Sequence, residues 1–316
     1  MTNFEILKCH GSGNDFIMVD VTRLDSRCAV DWSAFARVAC DRTTGIGSDG
    51  VLLVVSNDEG IYGMDMLNPD GTHAEMCGNG IRCVARLAHE RGYLSQGVLT
   101  SGGRTFATRC AEPIAEGIGA FAVDIPITTS SRSFGFLGEG ERCVGEVIEN
   151  LDANLRFTAL TLGNPHIVAA VDKIDMALLE QLGERVKGLK REFPDGVNVS
   201  LYEVLSPTSI FVATYERGAG ITLSCGTAMT ASATAAALLG YITKGEHIEV
   251  FNRGGKVACS TSIEGGDIVT TLEGNATFEW WGEASFDGEA LHYDIKRHTG
   301  EAERWLRFVE ELHKKL

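Results

Sequence analysis

A cysteine followed by glycine opens a helical run twice in this chain. The first instance is MCGNGIRCVARLAHER (Met76–Arg91), and the second, LSCGTAMTASATAAALLGYI, places its cysteine 148 residues later. In the first run Ile81, Val84, Ala85 and Ala88 recur at helical spacing and Gly92 follows, the pattern of an amphipathic helix closed by a C-cap glycine. The echo extends upstream. GNDFIMVDV begins at Gly13 and GNPHIVAAVD at Gly163, both a Gly-Asn turn into a β-branched run. Asn14 lies 63 residues before Cys77 and Asn164 lies 61 before Cys225, while Asn68 and Glu216 each stand nine residues before their cysteine. Landmarks in matching order and near-matching spacing predict two related halves, each presenting one cysteine.

Composition narrows what such a pair of halves does. Of 316 residues, 43 are acidic and 28 are Lys or Arg, a formal charge of −15, so neither nucleic acid nor an anionic membrane surface is expected as a partner. The opening MTNFEILKCH lacks an apolar signal core, and no run reaches transmembrane length, which points to a cytoplasmic chain. Nine cysteines without a C-x-x-C pair suit neither a zinc site nor a disulfide scaffold. Cys9, Cys28, Cys40, Cys83, Cys110, Cys143 and Cys259 read as small core or surface hydrophobes. Cys77 and Cys225 stand apart because each sits at a helix start.

Residues 4–8, 16–21 and 51–55 read as strands, Ala34–Cys40 as a short helix and Tyr62–Leu67 as an alternating strand. GIGSDG at 45–50 has the spelling of a dinucleotide loop, but a strand-like VLLVV follows where a helix is needed. It is therefore read as a turn with a role at the edge of a site. Later segments predict hairpins at Gly102-Gly103 and Ser206-Pro207, a helix at Met176–Lys187, and three strands separated by Gly-Gly turns at 254–255 and 265–266. The tail EAERWLRFVEELHKKL reads as an amphipathic helix capped by Thr299, with Trp305, Val309, Leu312 and Leu316 on one face. The domain reading is residues 1–125 carrying Cys77, joined by a returning strand and tail at about 272–316, and residues 126–271 carrying Cys225.

A thiol at a helix start faces unpaired N–H groups and the positive end of the helix dipole, which favours its thiolate, and the same N–H groups can hold a carboxylate. Two such thiols from equivalent halves predict a cleft with a base on either side. Removing an α-proton from an amino acid and replacing it on the opposite face requires that arrangement, one thiolate abstracting while the other thiol donates. No motif calls for pyridoxal phosphate or a metal, and no cofactor is expected. His166 and Glu216 are candidates to tune the thiols. A Cys–His hydrolase uses the same residue types but leaves the second cysteine without a task. Mild oxidant is expected to join Cys77 and Cys225 as a reversible, inactivating disulfide.

HGSGNDF, LNPDGTHAEMCGNGIRC, GNPHIV, PDGVNV and YERGAGITLSCGT, in that order, resemble the motif set of the diaminopimelate epimerase family over residues 4 to about 280. The resemblance implies an α+β fold of two pseudo-symmetric domains, each a mixed, largely antiparallel strand set wrapped around a central helix. It also implies a homodimer and an epimerase that inverts LL-diaminopimelate to meso-diaminopimelate, a step of lysine and peptidoglycan synthesis. It makes Cys77 and Cys225 the acid/base pair, with His166 and Glu216 modulating them. Asn14, Asn68, Gly78, Asn79, Asn164, Asn198, Glu216, Arg217, Gly226 and Thr227 become substrate-binding residues. Ile221 replaces the family's usual glutamate, Gly50 stands where many members have glutamine, and Ala228-Met229-Thr230 departs from the usual text after the second cysteine. These departures keep two alternatives in view: a racemase of another, basic or aromatic amino acid, and a non-catalytic amino-acid-binding protein.

Overall fold

The computed structural model describes residues 2–25, 30–74, 76–94, 97–130 and 132–314. Cys28 and Leu316 lie outside the described residues. The chain divides into two compact units, Met1–Val123 with Gly274–Leu316, and Asp124–Glu273. The helices among the described residues are α1 (Trp32–Ala39), α2 (Gly78–Glu90), α3 (Met176–Gly188), α4 (Gly226–Leu238) and α5 (Glu301–His313).

Both units use one strand plan. In the first, Thr2–Gly11 runs antiparallel to Asn14–Asp20, which pairs in parallel with Gly50–Ser56. That strand is antiparallel to Tyr62–Leu67, which is parallel to Val98–Ser101, and the hairpin to Arg104–Ala115 follows. In the second, Asp152–Thr161, Pro165–Ala170, Asn198–Ser206, Ser209–Glu216, Ile248–Asn252 and Gly255–Glu264 repeat the same alternation of antiparallel and parallel pairs. Each parallel pair needs a crossover, and helices supply them. α1 and α3 bridge the first parallel pair of their units, and α2 and α4 bridge the second. Register makes the equivalence residue-specific. Phe16 pairs with Gly50 and Val51 with Leu67, where the second unit pairs His166 with Asn198 and Val199 with Tyr215.

The crossover helices carrying the cysteines are the centres of their units. α2 touches every strand from Thr2–Gly11 through Arg104–Ala115, and α4 touches the six equivalent strands of the second unit. α2 buries its apolar stripe of Ile81, Val84, Ala85 and Ala88. α4 is buried on all sides from Gly226 to Ala237, and its Ala, Ser and Thr side chains allow strands to close around it without a polar outer face. α1 and α3 lie at the periphery, capped by Asp31 and Asp175, whose carboxylates accept from first-turn amides. Phe35 and Ala36 of α1 join the first unit's aromatic core with Phe4 and Phe286. α3 lies flat against Tyr215 at Gly183, where a Cβ would stand 2.1 Å from the ring carbon Cγ. Gly183→Ala is expected to cost about 1–3 kcal/mol by overpacking and to lower the melting temperature by about 5 °C, measured by calorimetry.

The tail contains more than a helix. Thr277–Phe286 pairs with Thr2–Gly11, and Leu291–His298, a strand absent from the sequence reading, pairs with Thr277–Phe286. α5 then packs on the first unit through buried Trp305 against His10, and Glu301 forms a two-pronged ion pair with Arg86 of α2. Val309 and Leu312 are half-buried. The cap differs from expectation: Gly300, at φ 74°, is the N-cap of α5. Thr299 is turned inward, bonded to the carbonyls of Phe278 and Glu279, and only its hydroxyl oxygen serves the helix by accepting from Glu301 N. A left-handed position suits glycine and not threonine.

Candidate active site

Cys77 is the N-cap of α2, and its Sγ accepts from the amide of Gly80 at 3.4 Å. Cys225 holds the same place on α4, with φ −124° and ψ 109° against −135° and 111° at Cys77. An extended residue followed by helical ones points the thiol along the helix axis, over the free N–H groups of the first turn. Gly78-Asn79 and Gly226-Thr227 supply those first-turn amides, and all four residues are buried.

In each unit the asparagine of the strand-opening turn reaches the second residue of that helix. Asn79 Nδ2 donates to Asn14 Oδ1 at 3.2 Å, and Asn164 Nδ2 donates to Thr227 Oγ1 at 3.3 Å. The thiols complete each group: Cys77 Sγ lies 3.8 Å from Asn14 Oδ1 and Cys225 Sγ 3.5 Å from Thr227 Oγ1.

Around this shared frame the units diverge. In the second, His166 Nε2 donates to Asn164 Oδ1 at 3.0 Å, so Asn164 is free to donate to Thr227 and Thr227 to Cys225. Asn198 places its amide nitrogen 3.4 Å from His166 Nε2, and its Oδ1 accepts from the backbone N of Arg217 at 2.8 Å. His166 is fully buried and its Nδ1 has no hydrogen-bond partner among the described residues. Burial, helped by the charge of Arg217, lowers its pKa from 6.5 to about 3, so the ring acts as a neutral donor. Glu216, half-buried on the strand edge, accepts from Thr222 Oγ1 at 2.5 Å.

Cys225 departs from the sequence expectation. Burial, followed by the Glu216 charge, raises its pKa well above the usual thiol value, and the Thr227 hydroxyl and the Ala228 amide offset this only in part. The helix dipole is outweighed because an ion loses more by leaving water than a helix terminus returns. Cys225 is therefore a protonated thiol at neutral pH.

In the first unit Asn14 is oriented from behind. Its Nδ2 donates to Asp49 Oδ2 at 2.7 Å, which turns Oδ1 towards Cys77 and Asn79. Arg42 bridges Asp15 and Asp49, each at 2.7 Å, and Lys8 donates to Asp15 at 2.5 Å. Burial opposes the Asp15 charge, but Arg42 and Lys8 outweigh it and bring its pKa down to about 2. Sequence reasoning missed this network. Its signals were Asp15, adjacent to Asn14, and Asp49 within GIGSDG, a string read as a turn at the edge of a site without a task for its aspartate. Asn68 is tied into its own turn, donating to Thr72 Oγ1 at 3.0 Å.

The departures at Gly50 and Ile221 have local reasons. A Cβ at Gly50 would lie 2.7 Å from the Leu67 carbonyl and 3.0 Å from Met66 Cε, so glutamine does not fit this backbone. Ile221 pairs with Tyr215 and packs on the second unit's apolar core.

No group of three or more metal-ligating side chains occurs among the described residues. Likewise no described helix is long and apolar enough to cross a membrane.

Buried neutral histidines make stability depend on pH. His10 is lowered to about 4 by burial and His166 to about 3, whereas both protonate near 6.5 once unfolded. The stability they contribute is complete above pH 6.5 and is lost as pH falls towards those folded values. Each is expected to remove about 1.4 kcal/mol per pH unit within its window. Urea midpoints at neutral and mildly acid pH test this, and His166→Gln should flatten the slope.

Solved structures of low sequence identity share this architecture. A PhzF-family phenazine biosynthesis protein of Bacillus anthracis matches with a TM-score of 0.64 at 15% identity, covering 90% of this chain and 100% of that one. A hydroxyproline epimerase from Agrobacterium vitis matches at 0.61 and 14%, covering 93% and 92%. The fold is thus that of the two-unit α+β proteins of which these are examples. The diaminopimelate epimerase family model matches residues 6–113 and 158–279. Diaminopimelate epimerases of Ligilactobacillus salivarius and Listeria monocytogenes are 36% and 34% identical, covering 98% and 99% of this chain and 100% and 98% of their own. The chain belongs to the diaminopimelate epimerase family.

Proposed function

We propose that this protein is a cofactor-independent epimerase that interconverts LL- and meso-diaminopimelate, with Cys77 and Cys225 as its two acid/base groups. The observation that carries the reading is the duplicated frame: a cysteine at a helix start, bonded to the asparagine–helix pair of its own unit. One thiolate takes the α-proton, and the other thiol delivers its own proton to the opposite face. Inversion leaves the two sulfurs with exchanged protonation states. The α-hydrogen is a very weak acid, so helix-terminal amides on the α-carboxylate stabilise the charge that develops. Asn68, Asn198, Glu216 and Arg217 are assigned to the distal amino-acid end. Gly50 and Ile221 give no reason to change the substrate, because one answers to backbone room and the other to core packing. A cytoplasmic homodimer goes with this reading, and sedimentation tests the dimer.

Proton NMR in deuterated water, with no added cofactor and a panel of amino acids, tests the function. Loss of the α-hydrogen signal with diaminopimelate alone is the expected result. Loss with another amino acid would keep the chemistry and replace the substrate. No exchange from folded, reduced protein would replace the enzyme with a binding protein.

A further inference from the structure

Arg82 is fully buried one turn into α2. A guanidinium removed from water is costly unless its N–H groups are satisfied, and here they reach three separate segments. Nη1 donates to Gly78 O at 2.9 Å, and Nη2 donates to Asn79 Oδ1 at 2.9 Å and Ser12 Oγ at 3.3 Å. Nε donates to Asn275 O at 3.2 Å. Asn275 carries the connection onward: its Oδ1 accepts from Ser12 N at 2.7 Å, and its Nδ2 donates to Thr277 Oγ1 at 2.8 Å and faces His10 Nδ1 at 3.2 Å.

The turn held in this way is strained. Ser12 has φ 55°, the one positive value at a non-glycine among the described residues, and Gly13 follows at 80°. Such a conformation persists when its surroundings enforce it. The next residue is Asn14, the contact of Cys77 and Asn79. The backbone is also shaped to the guanidinium: a Cβ at Gly11 would lie 2.9 Å from Nη2, and one at Gly274 would lie 2.8 Å from Cζ. The matching position of α4 is Thr230, whose hydroxyl bonds back to Gly226 O at 2.8 Å within its own helix.

We propose that Arg82, braced by Asn275, is a positioning residue that locks the Ser12–Asn14 turn onto the start of α2 and so holds Asn14 and Asn79 against Cys77. The inference rests on the reading of Cys77 as an acid/base group. Lysine keeps the charge but cannot span four acceptors as a planar fork does. Arg82→Lys is therefore expected to lower kcat for α-hydrogen exchange by about 30-fold, with KM changed less than about threefold, since misalignment acts on the reacting geometry. Arg82→Met is expected to lose about 100-fold or more, and Gly274→Ala, which displaces the guanidinium while leaving it in the chain, about tenfold.

A readout that needs no turnover is iodoacetamide modification of Cys77 relative to exposed Cys110, followed by peptide mass spectrometry. The ratio should fall about tenfold in Arg82→Met, as the thiol loses its ordered first turn and a nearby positive charge. If Arg82→Met does not fold, Gly274→Ala carries the test with the same sign. Parent-like kcat in Arg82→Lys and Gly274→Ala with an unchanged Cys77:Cys110 ratio would overturn the proposal. So would a loss of kcat that merely tracks the loss of folded protein. Absence of exchange in the parent would instead reject the functional reading, and the ratio would still decide the role of Arg82.

Discussion

Cys225→Ala is expected to lose inversion of diaminopimelate by at least about 10³-fold, the range in which positioned acids and bases act, while remaining folded. The side chain is small, and the hydrogen bonds that anchor its surroundings run through Asn164, Thr227 and His166. His166 cannot take over, because it is neutral with its lowered pKa near 3, and its Nε2–H is committed to Asn164. The variant should nonetheless retain slow exchange of the α-hydrogen with one stereoisomer, since Cys77 can still take and return a proton on its own side. NMR in deuterated water separates the two readouts, exchange by signal loss and inversion by the appearance of the other isomer. Inversion surviving at more than about 1% of the parent rate would sink the two-thiol mechanism.

Glu216→Gln should act in opposite directions on reactivity and turnover. Glu216 is the largest contributor after burial to the raised pKa of Cys225. Removing its charge lowers that pKa, so Cys225 should be alkylated faster at neutral pH. Turnover should fall about 100-fold, because a proposed contact with the distal ammonium is lost, the scale of a hydrogen bond to a charged group. Faster alkylation with slower turnover identifies a carboxylate that tunes the thiol. Slower alkylation in the variant would refute this role.

The fold was legible because its signals are local and duplicated. The Gly-Asn turns, the Cys-Gly helix starts and the Gly-Gly hairpins each constrain a few residues, and their spacing repeats. Leu291–His298 was overlooked although Leu291, Tyr293 and Ile295 alternate with His292, Asp294 and Lys296 in the sequence, the period of a strand; in the fold that strand is exposed along nearly its whole length. The helix-start placement of Cys77 and Cys225 was legible from the Cys-Gly text that opens each run. The site was opaque where function depends on an environment built from distant segments. Arg82 reads as an ordinary helix arginine until Ser12 and Asn275 are seen around it. The acidity of Cys225 likewise depends on how deeply α4 is enclosed, which no helix-start argument contains.

The pairing of Thr2–Gly11 with Thr277–Phe286 imposes an order on synthesis. The second unit is one uninterrupted stretch, Asp124–Glu273, and can close as soon as it clears the ribosome. The first unit must wait, with one flank of its opening strand unpaired, until residues 277–286 emerge. Asn275, the brace of the Ser12 turn, arrives just ahead of them. A nascent chain thus carries a finished Cys225 frame while the Cys77 frame still lacks its support, so a stalled or truncated product is left with an open strand edge that invites association with other chains.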